Sequence, residues 1–316
     1  LRRSRGLGDV YKRQIGYRHS ASTDDARANQ LSGCADQTHS DSLYQPTEPV
    51  IQLSINLNKI ALIRNSRDTQ QPDPCEFAAA VLNAGAHGVT VHPRPDQRHI
   101  RAEDCVRLGE TGLGLLKDSR TGEGKPAEIE FNIEGNPFAA PQASTRSSVS
   151  DYPGFMQLVE RVRPEQVTLV PDGDEQLTSD HGFDLDHDGE RLAPVIQQLK
   201  SWGCRVSLFM DPVPRQIEQV RALGADRIEL YTETYAQAHA RGDFAAVLSQ
   251  FQDAASAATA DGIGINAGHD LNLQNLRDFR IPNLKEVSIG HAFTVDALRF
   301  GIPETVRRYL DVLGSA

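Results

Sequence analysis

Three histidines follow short apolar runs of the sequence, each at a point where a predicted strand ends. His92 ends "GVTVH", His269 follows "INAG" and His291 follows "SIG". A carboxylate, Glu134, stands near the end of a fourth run, "FNIEG". Imidazole and carboxylate groups that lie together can accept and donate protons near neutral pH. We therefore expect acid–base chemistry if the fold brings these four residues to one place.

Basic and amide side chains occupy comparable positions and indicate anionic ligands. They follow the first two predicted strands and comprise Asn56, Asn58, Lys59, Arg64, Arg67, Arg94 and His99. The stretches "NAGHDL" and "SIGHAF" each place a glycine and exposed backbone N–H groups just before a predicted helix, which is a common arrangement for binding phosphate. We expect one phosphate there and a second anion held by Arg94 and His99. Arg98, in the same stretch as these two, is expected at the surface.

Metal binding is a competing use of several histidines and a glutamate. The chain contains no H-E-x-x-H motif, and the neighbouring Arg and Lys side chains would repel a divalent cation. The four cysteines form no C-x-x-C pair, which argues against a zinc site and against a dense disulfide framework. We expect no metal ion and a reducing, cytoplasmic location.

The elements that must position these side chains alternate regularly along the chain. The predicted strands span residues 51–57, 88–92, 128–135, 166–171, 204–212, 227–232, 262–268 and 286–290. Helical patterns separate them, including single helices over 101–118, 214–225, 243–261 and 294–313 and a short one near 271–278. Eight uniformly apolar strands alternating with helices predict an α/β fold, a (β/α)₈ TIM barrel with extra helices. An open doubly wound sheet is disfavoured because "NLNKIALIRNSRD", after the first strand, lacks a glycine-rich turn.

Composition bounds the remaining possibilities. The chain has 316 residues, 39% of them hydrophobic, and a formal net charge of −10. Such an acidic chain is not expected to bind nucleic acid nonspecifically, and no run approaches the ~20 apolar residues of a membrane span. We expect residues 49–316 to form a single barrel domain. Residues 1–48 are expected to be a disordered or non-native leader, because "LRRSRGLGDVYKRQ" resembles translated adaptor sequence; a genuine basic tail is the alternative.

Taken together, the motifs resemble those of the pyridoxine 5'-phosphate synthase family. The resemblance runs from about residue 51 to 312 through "INLNKIALIRNSR", "GVTVHPRPDQRHI", "FNIEG", "TLVPD", "QLTSDHGFD", "RVSLFMDP", "RIELYTETYA", "INAGHDL" and "SIGHA". It implies a TIM barrel, assembled as a homo-octamer, with no metal or organic cofactor. The implied activity is a transferase reaction that closes a pyridine ring from two small phosphorylated substrates, 3-amino-2-oxopropyl phosphate and 1-deoxy-D-xylulose 5-phosphate.

The resemblance also assigns roles to individual positions. It implies that His92 and Glu134 accept protons, that His269 donates one, and that Glu229 stabilises a transition state. The residues implied to bind the deoxyxylulose phosphate are Asn58, Lys59, Arg94, His99 and Thr178. Those implied to bind the amino-oxopropyl phosphate are Asn56, Arg67, Asp270, Gly290 and His291.

The chain departs from the commoner family pattern at three places. Asn58-Lys59 stands where many members have Asp-His, and Lys59 cannot act as a neutral imidazole. Asp270 stands where a glycine is usual, so its charge would disfavour a phosphate unless only its backbone N–H makes the contact. The segment 136–153, directly after the strand of Glu134, is either a lid or an inert insertion.

Two other functions fit parts of the pattern. A different TIM-barrel lyase or isomerase acting on a sugar phosphate would use a Schiff-base lysine at a strand end, and Lys59 is the candidate. A non-catalytic barrel that binds phosphorylated metabolites would need no proton relay, so His92, Glu134 and His269 together argue against it.

Overall fold

The chain folds into a barrel that the computed structural model describes over residues 50–67, 69–112, 129–173, 176 and 178–314, with the backbone alone at 111 and 112. The expectation for residues 1–48 falls outside these residues, and the division of the chain at residue 48 stays a prediction. Within them, eight parallel strands pair in sequence order, and β8 pairs with β1 to close the barrel. The (β/α)₈ prediction is therefore confirmed.

The strands lie within a few residues of their predicted positions. They are β1 Gln52–Asn56, β2 Gly88–Val91, β3 Glu130–Gly135, β4 Gln166–Leu169, β5 Arg205–Met210, β6 Arg227–Tyr231, β7 Gly264–Gly268 and β8 Leu284–Ile289. The α-helices around them are α1 Asn58–Asn65, α2 Pro74–Asn83, α3 Ala102–Arg107, α4 Phe155–Val162, α5 Leu185–Ser201, α6 Pro214–Ile217, α7 Val220–Leu223, α8 Glu233–Arg241, α9 Ala245–Ala260, α10 His291–Phe300 and α11 Ile302–Gly314. A π-helical turn, Leu108–Gly112, continues α3.

Several predicted helices differ from the observed ones. The helix predicted over 294–313 is two helices, α10 and α11, because Gly301 between them has a φ of +78° and Pro303 follows it. The helix predicted over 214–225 is likewise two short helices, and the one near 271–278 is a single 3₁₀ turn, Asn275–Arg277. Helices α1 and α8 were not anticipated. Residues 113–118 of another predicted helix lie outside the described residues.

The strands are not uniformly apolar, which corrects the sequence reading. Outward residues such as Val89 and Val91 are fully buried in the apolar core that includes helix side chains, while alternate residues are polar and line the barrel interior. Gln166 on β4 donates to Glu286 on β8, across the barrel, at 3.4 Å. Arg227 reaches the same carboxylate at 3.0 Å. Polar groups withdrawn from water are satisfied by each other.

A buried ion pair fixes the segment between β2 and α3. Arg64 of α1 donates to both carboxylate oxygens of Asp104, at 2.6 and 2.9 Å, and each side chain is 1% exposed. Arg64 also donates to the His99 carbonyl at 3.0 Å, and Asn65 donates to it at 2.7 Å. Asp104 in turn accepts from the backbone N–H of Arg101 at 2.8 Å. Arg64 therefore organises the loop that carries the predicted binding residues, rather than serving as one.

Removing one partner of this pair should strongly destabilise the barrel. Asp104→Ala leaves the Arg64 guanidinium buried without its counter-charge, so we expect the free energy of unfolding to fall by about 3–5 kcal/mol. Urea denaturation followed by circular dichroism measures the change. Glu110→Ala, which breaks the exposed pair with Arg161, is the control and should cost less than about 1 kcal/mol. Equal effects of the two substitutions would contradict this account.

Candidate active site

A cavity of about 250 Å³ opens at the carboxyl-terminal ends of the strands. Thirteen of the fourteen predicted site residues line it, namely Asn56, Asn58, Lys59, His92, Arg94, His99, Glu134, Thr178, Glu229, His269, Asp270, Gly290 and His291. The exception is Arg67, which is exposed just after α1 and does not line the cavity. Closure of the barrel thus brings together residues more than 200 positions apart in the chain.

A chain of amide contacts links the ends of β1, β2 and β3. The backbone N–H of His92 donates to Asn58 Oδ1 at 2.9 Å, and the backbone N–H of Asn58 donates to Asn56 Oδ1 at 3.0 Å. Asn56 Nδ2 then donates to Glu134 Oε2 at 3.4 Å. Asn58 therefore holds the backbone of His92, and Asn56 holds the carboxyl group of Glu134, in addition to lining the cavity.

The two central carboxyl groups are buried and hold their protons more tightly than usual. Glu134 is 4% exposed and Glu229 is 2% exposed. Burial raises the pKa of Glu134 well above its ordinary value, and the carboxylates of Glu229 and Asp172 raise it further. Burial raises the pKa of Glu229 to about 7. A carboxyl group with a pKa near 7, as at Glu229, can both give and accept a proton at neutral pH, whereas the raised pKa of Glu134 favours its protonated form.

Three histidines of the cavity, His92, His99 and His269, are neutral for the same reason. Burial lowers the pKa of His92 well below its usual range, and the cationic Arg94 lowers it further. Burial likewise lowers the pKa of His99, whose ring lies edge-on to that of His92 with centroids 6.3 Å apart. Burial lowers the pKa of His269 to about 4. Neutral imidazoles at neutral pH are suited to accept protons.

A glycine makes room for Glu229 beside the β7 strand end. A Cβ atom at Gly268 would collide with Glu229 Oε1, so only glycine lets β7 pass this close to the carboxyl group. The glycine of "INAG", which the sequence reading assigned to phosphate binding, therefore also has a packing role. Gly290 is less constrained, because a Cβ there would stand 3.2 Å from Asn56 Cβ.

His269 is held in an unusual backbone conformation. Its φ is +76° and that of Asp270 is +57°, a region that costs energy for residues other than glycine. The Thr232 hydroxyl donates to the carbonyl oxygens of Gly268 and His269, and the His269 ring packs against Phe209 at a centroid distance of 4.9 Å. The left-handed conformation at 270 explains why glycine suits this position. Here Asp270 adopts it, and partial burial together with Glu233 raises the pKa of its carboxyl group.

Arg94 is anchored to the segment after β4. Its guanidinium donates to Asp172 and to the Gln176 carbonyl, the latter at 2.6 Å. Arg98 donates to the same carbonyl at 3.0 Å and pairs with Asp96 at 2.6 Å. The Arg98 side chain is 27% exposed, so it lies at the surface as expected, although it also contacts the segment after β4. The two arginines together tie the loop after β2 to the loop after β4.

Sequence reasoning missed several residues of the cavity. Ser179, Tyr231, Glu233 and Ser288 also line it. Asp172, which contacts Arg94, was overlooked although it ends the quoted motif "TLVPD". Its position could have revealed it, because Asp172 comes shortly after the carboxyl end of β4, just as His92 comes after the carboxyl end of β2.

The segment 136–153 borders a second cavity of about 510 Å³ that shares His92 and Arg94 with the first. The segment is tied down by paired backbone hydrogen bonds between Gln142 and Tyr152, at 2.8 and 2.9 Å. Gln97 also donates to the Ser150 carbonyl at 2.6 Å. The segment thus forms a folded wall beside the site, and its motion as a lid stays a prediction.

The described part of the chain contains neither a group of metal ligands nor a helix that could cross a membrane. Among these residues, no three or more His, Cys, Asp or Glu side chains are grouped so as to hold a metal ion. Across the same residues, every helix is too short or too polar to cross a membrane.

The fold and site define a class of protein. A closed barrel whose mouth carries neutral imidazoles, protonatable carboxyl groups and cations is typical of a TIM-barrel enzyme that acts on anionic substrates by acid–base catalysis. The sequence model of one family, described as "Pyridoxal phosphate biosynthesis protein PdxJ", matches residues 53–315. The chain belongs to this family.

Curated relatives agree with this assignment. The chain is 53% identical over 263 residues to the pyridoxine 5'-phosphate synthase of Xanthomonas campestris pv. campestris (strain B100), covering 83% of this chain and 95% of that protein. It is 50% identical over 266 residues to the protein of the same name from Xylella fastidiosa (strain 9a5c), covering 84% and 95%.

Solved structures of distant proteins share the fold. Thiamine phosphate pyrophosphorylase from Pyrococcus furiosus superposes with a TM-score of 0.50 at 10% identity, covering 84% of this chain and 96% of that one. A tryptophan synthase structure from Mycobacterium tuberculosis gives 0.50 at 10% identity, covering 84% and 92%. At this identity the likeness supports the barrel architecture alone.

The neutral histidines can be tested by titration. We expect His269 to protonate with a midpoint near pH 4, because burial opposes the imidazolium form, and His92 to protonate well below its usual range. Histidine ¹⁵N NMR spectra recorded against pH measure both, with His92→Gln and His269→Gln used for assignment. The exposed His187, whose pKa is raised by its hydrogen bond to Asp184, is the internal control. Midpoints for His92 and His269 at the control's value would refute the burial argument.

Proposed function

We propose that this protein is a pyridoxine 5'-phosphate synthase. It condenses 3-amino-2-oxopropyl phosphate with 1-deoxy-D-xylulose 5-phosphate and releases pyridoxine 5'-phosphate, inorganic phosphate and water. The observation that carries the proposal is the convergence of His92, Glu134 and His269 with two sets of anion-binding groups in one cavity, in a chain that belongs to this family. No cofactor is invoked, because amine condensation and ring closure require only proton transfers.

The deoxyxylulose phosphate is bound on the β1, β2 and β4 side of the cavity. Arg94 and Lys59 supply positive charge there, and His99, Asn58 and Thr178 supply further polar contacts. The hydrogen bonds that hold the loop after β2 support this assignment, because they fix the backbone of His99 and the guanidinium of Arg94 before substrate arrives. Lys59 is half-buried at the cavity wall, where an ammonium group serves as well as the commoner histidine.

The amino-oxopropyl phosphate is bound on the β7, β8 and β1 side. Gly290 precedes α10, so the first backbone N–H groups of that helix, including that of His291, face the anion. Asp270 contributes through its backbone, as its carboxylate would repel phosphate, and Asn56 completes the contacts. The predicted contact of Arg67 has the least support, because its exposed side chain must turn toward the cavity.

Proton transfers follow from the protonation states. The amine attacks the ketone carbon of the deoxyxylulose phosphate, and water leaves to form the Schiff base. Phosphate then leaves, and a new C–C bond between the two substrates closes the ring with loss of a second water. Glu134, whose burial favours the protonated form, gives its proton to a leaving group and, once ionised, accepts one from the substrate, while neutral His92 accepts another. Glu229 is buried next to the end of β7. It stabilises the positive charge that develops on the reacting groups during these proton transfers.

The donor role of His269 depends on the substrate. Its imidazole is neutral at neutral pH in the protein alone, because burial lowers its pKa to about 4. A bound phosphate dianion beside it favours the imidazolium form and raises the pKa. His269 therefore becomes a proton donor when the cavity is filled.

The proposed assembly is a homo-octamer in the cytoplasm. Exposed apolar side chains support subunit contacts, since Leu298 is 79% exposed and Phe300 is 39% exposed at the end of α10. Sedimentation velocity of the purified protein tests the assembly.

The decisive test is turnover. Purified protein mixed with both substrates should form pyridoxine 5'-phosphate, detected by mass and absorbance, and inorganic phosphate in equal amounts. Glu134→Gln keeps the shape of the side chain but cannot carry a proton, so we expect kcat to fall about 10²–10⁴-fold with little change in substrate affinity measured by calorimetry. Glu190→Gln, at an exposed carboxyl group on α5, is the control. A folded wild-type protein without product would overturn the proposal.

Lys59 separates this function from that of a Schiff-base aldolase or isomerase. We expect no covalent adduct on the protein after borohydride reduction with either substrate, because the amine of the Schiff base comes from the amino-oxopropyl phosphate. Lys59→Arg should keep turnover and raise KM for the deoxyxylulose phosphate several-fold. Mass spectrometry of the tryptic peptides detects any adduct, and one on Lys59 would support the alternative enzyme.

A further inference from the structure

Asp172 stands at the boundary between the two cavities, three residues after β4. It is 7% exposed and lines the second cavity together with His92 and Arg94. One carboxylate oxygen, Oδ2, pairs with the Arg94 guanidinium and accepts from the Ser179 hydroxyl at 2.9 Å. The other, Oδ1, is buried with no hydrogen-bond partner among the described residues. A buried carboxylate with one unsatisfied oxygen is unfavourable for stability alone, which points to a role in the site.

The His92 imidazole lies between this carboxylate and that of Glu134. Nε2 is 3.7 Å from Asp172 Oδ2, and Nδ1 is 3.9 Å from Glu134 Oε2. Both distances exceed those of formed hydrogen bonds. Contacts between catalytic groups are commonly this long before substrate binds and shorten in the complex.

The other contacts of Asp172 determine which imidazole tautomer fits. Arg94 and Ser179 both donate to Oδ2, so Asp172 acts as an acceptor. Burial raises the pKa of its carboxyl group, and the Arg94 guanidinium and the Ser179 hydroxyl oppose that shift by stabilising the ionised form. A neutral imidazole that faces this oxygen is stable when Nε2 carries the hydrogen. Nδ1 then presents its lone pair to Glu134, the carboxyl group whose burial favours its protonated form. The resulting order, carboxylate, imidazole and carboxyl group, lets a proton pass between His92 and Glu134.

We propose that Asp172 is a positioning residue that holds His92 as the Nε2–H tautomer, with Nδ1 toward Glu134, and holds Arg94 at the same time. The kinetic part of this inference rests on the proposed function, whereas the tautomer is a property of the protein without substrate. The two can therefore fail separately.

Asp172→Asn tests the inference while preserving the shape of the side chain. Without the anionic acceptor, we expect kcat to fall at least about 10²-fold, as for other histidines that lose their orienting carboxylate. KM for the deoxyxylulose phosphate should rise, because Arg94 loses the partner that holds its guanidinium in place, and KM for the amino-oxopropyl phosphate should stay within twofold. Steady-state assays with each substrate varied in turn measure the split. Asp172→Glu, which retains the charge, should recover part of kcat.

The tautomer is read from ¹⁵N NMR of the histidine-labelled protein at neutral pH. The wild type should show His92 protonated at Nε2, with the signal assigned by its loss in His92→Gln, and Asp172→Asn should show a mixture or the Nδ1–H form. Asp180→Asn is the matched control, since Asp180 is an exposed carboxylate on the same loop, and it should match the wild type in both measurements.

Three results would overturn the inference. They are His92 carrying its hydrogen on Nδ1 in the wild type, Asp172→Asn leaving the tautomer unchanged, and Asp172→Asn leaving kcat unchanged in an active enzyme. A loss of kcat in Asp172→Asn with an unchanged tautomer would assign Asp172 a purely structural role. An inactive wild type with the expected tautomer shift would instead overturn the proposed function and leave the positioning role in place.

Discussion

Withdrawal of polar side chains from water into a closed barrel is the constraint on which the rest of this structure depends. Once the eight strands close, every inward side chain loses its solvent and must find a partner across the interior. Gln166 and Glu286 meet this need from opposite strands. At the carboxyl-terminal ends of the strands, the buried acidic and basic side chains find only some of the partners they need. Burial therefore shifts their pKa values.

Burial raises the pKa of the carboxyl groups and lowers the pKa of the imidazoles. Both shifts favour uncharged side chains, which suits a cavity that binds anionic substrates. Burial favours the protonated forms of Glu134 and Glu229 and the neutral forms of His92 and His269. The cavity therefore carries less negative charge than its carboxyl groups would give if all of them were ionised. Two phosphorylated substrates bring the missing negative charge, so that binding itself resets the protonation of the groups that must react.

The sequence was sufficient for the architecture and for most of the cavity wall, because both follow from periodicity and from the rule that strand ends meet at one mouth. The sequence was insufficient where a contact between distant residues determines whether a side chain is buried and which partner it has. Arg64 and Arg67 look equivalent in "ALIRNSR", yet one is buried against Asp104 and the other is exposed. Asp172 was missed because nothing in "TLVPD" reveals that Arg94 approaches it. Helix breaks such as that at Gly301 were missed because a strong amphipathic pattern continued across them.

The positive φ angles of His269 and Asp270 limit which substitutions this turn tolerates. A position that requires positive φ admits glycine, asparagine and aspartate far more readily than other residues. Glycine, asparagine or aspartate at residue 270 should therefore leave the turn that positions the His269 imidazole unchanged. A β-branched residue there would strain the backbone. The aspartate found here is one of the few residues other than glycine that this backbone geometry, with φ +57°, accommodates readily.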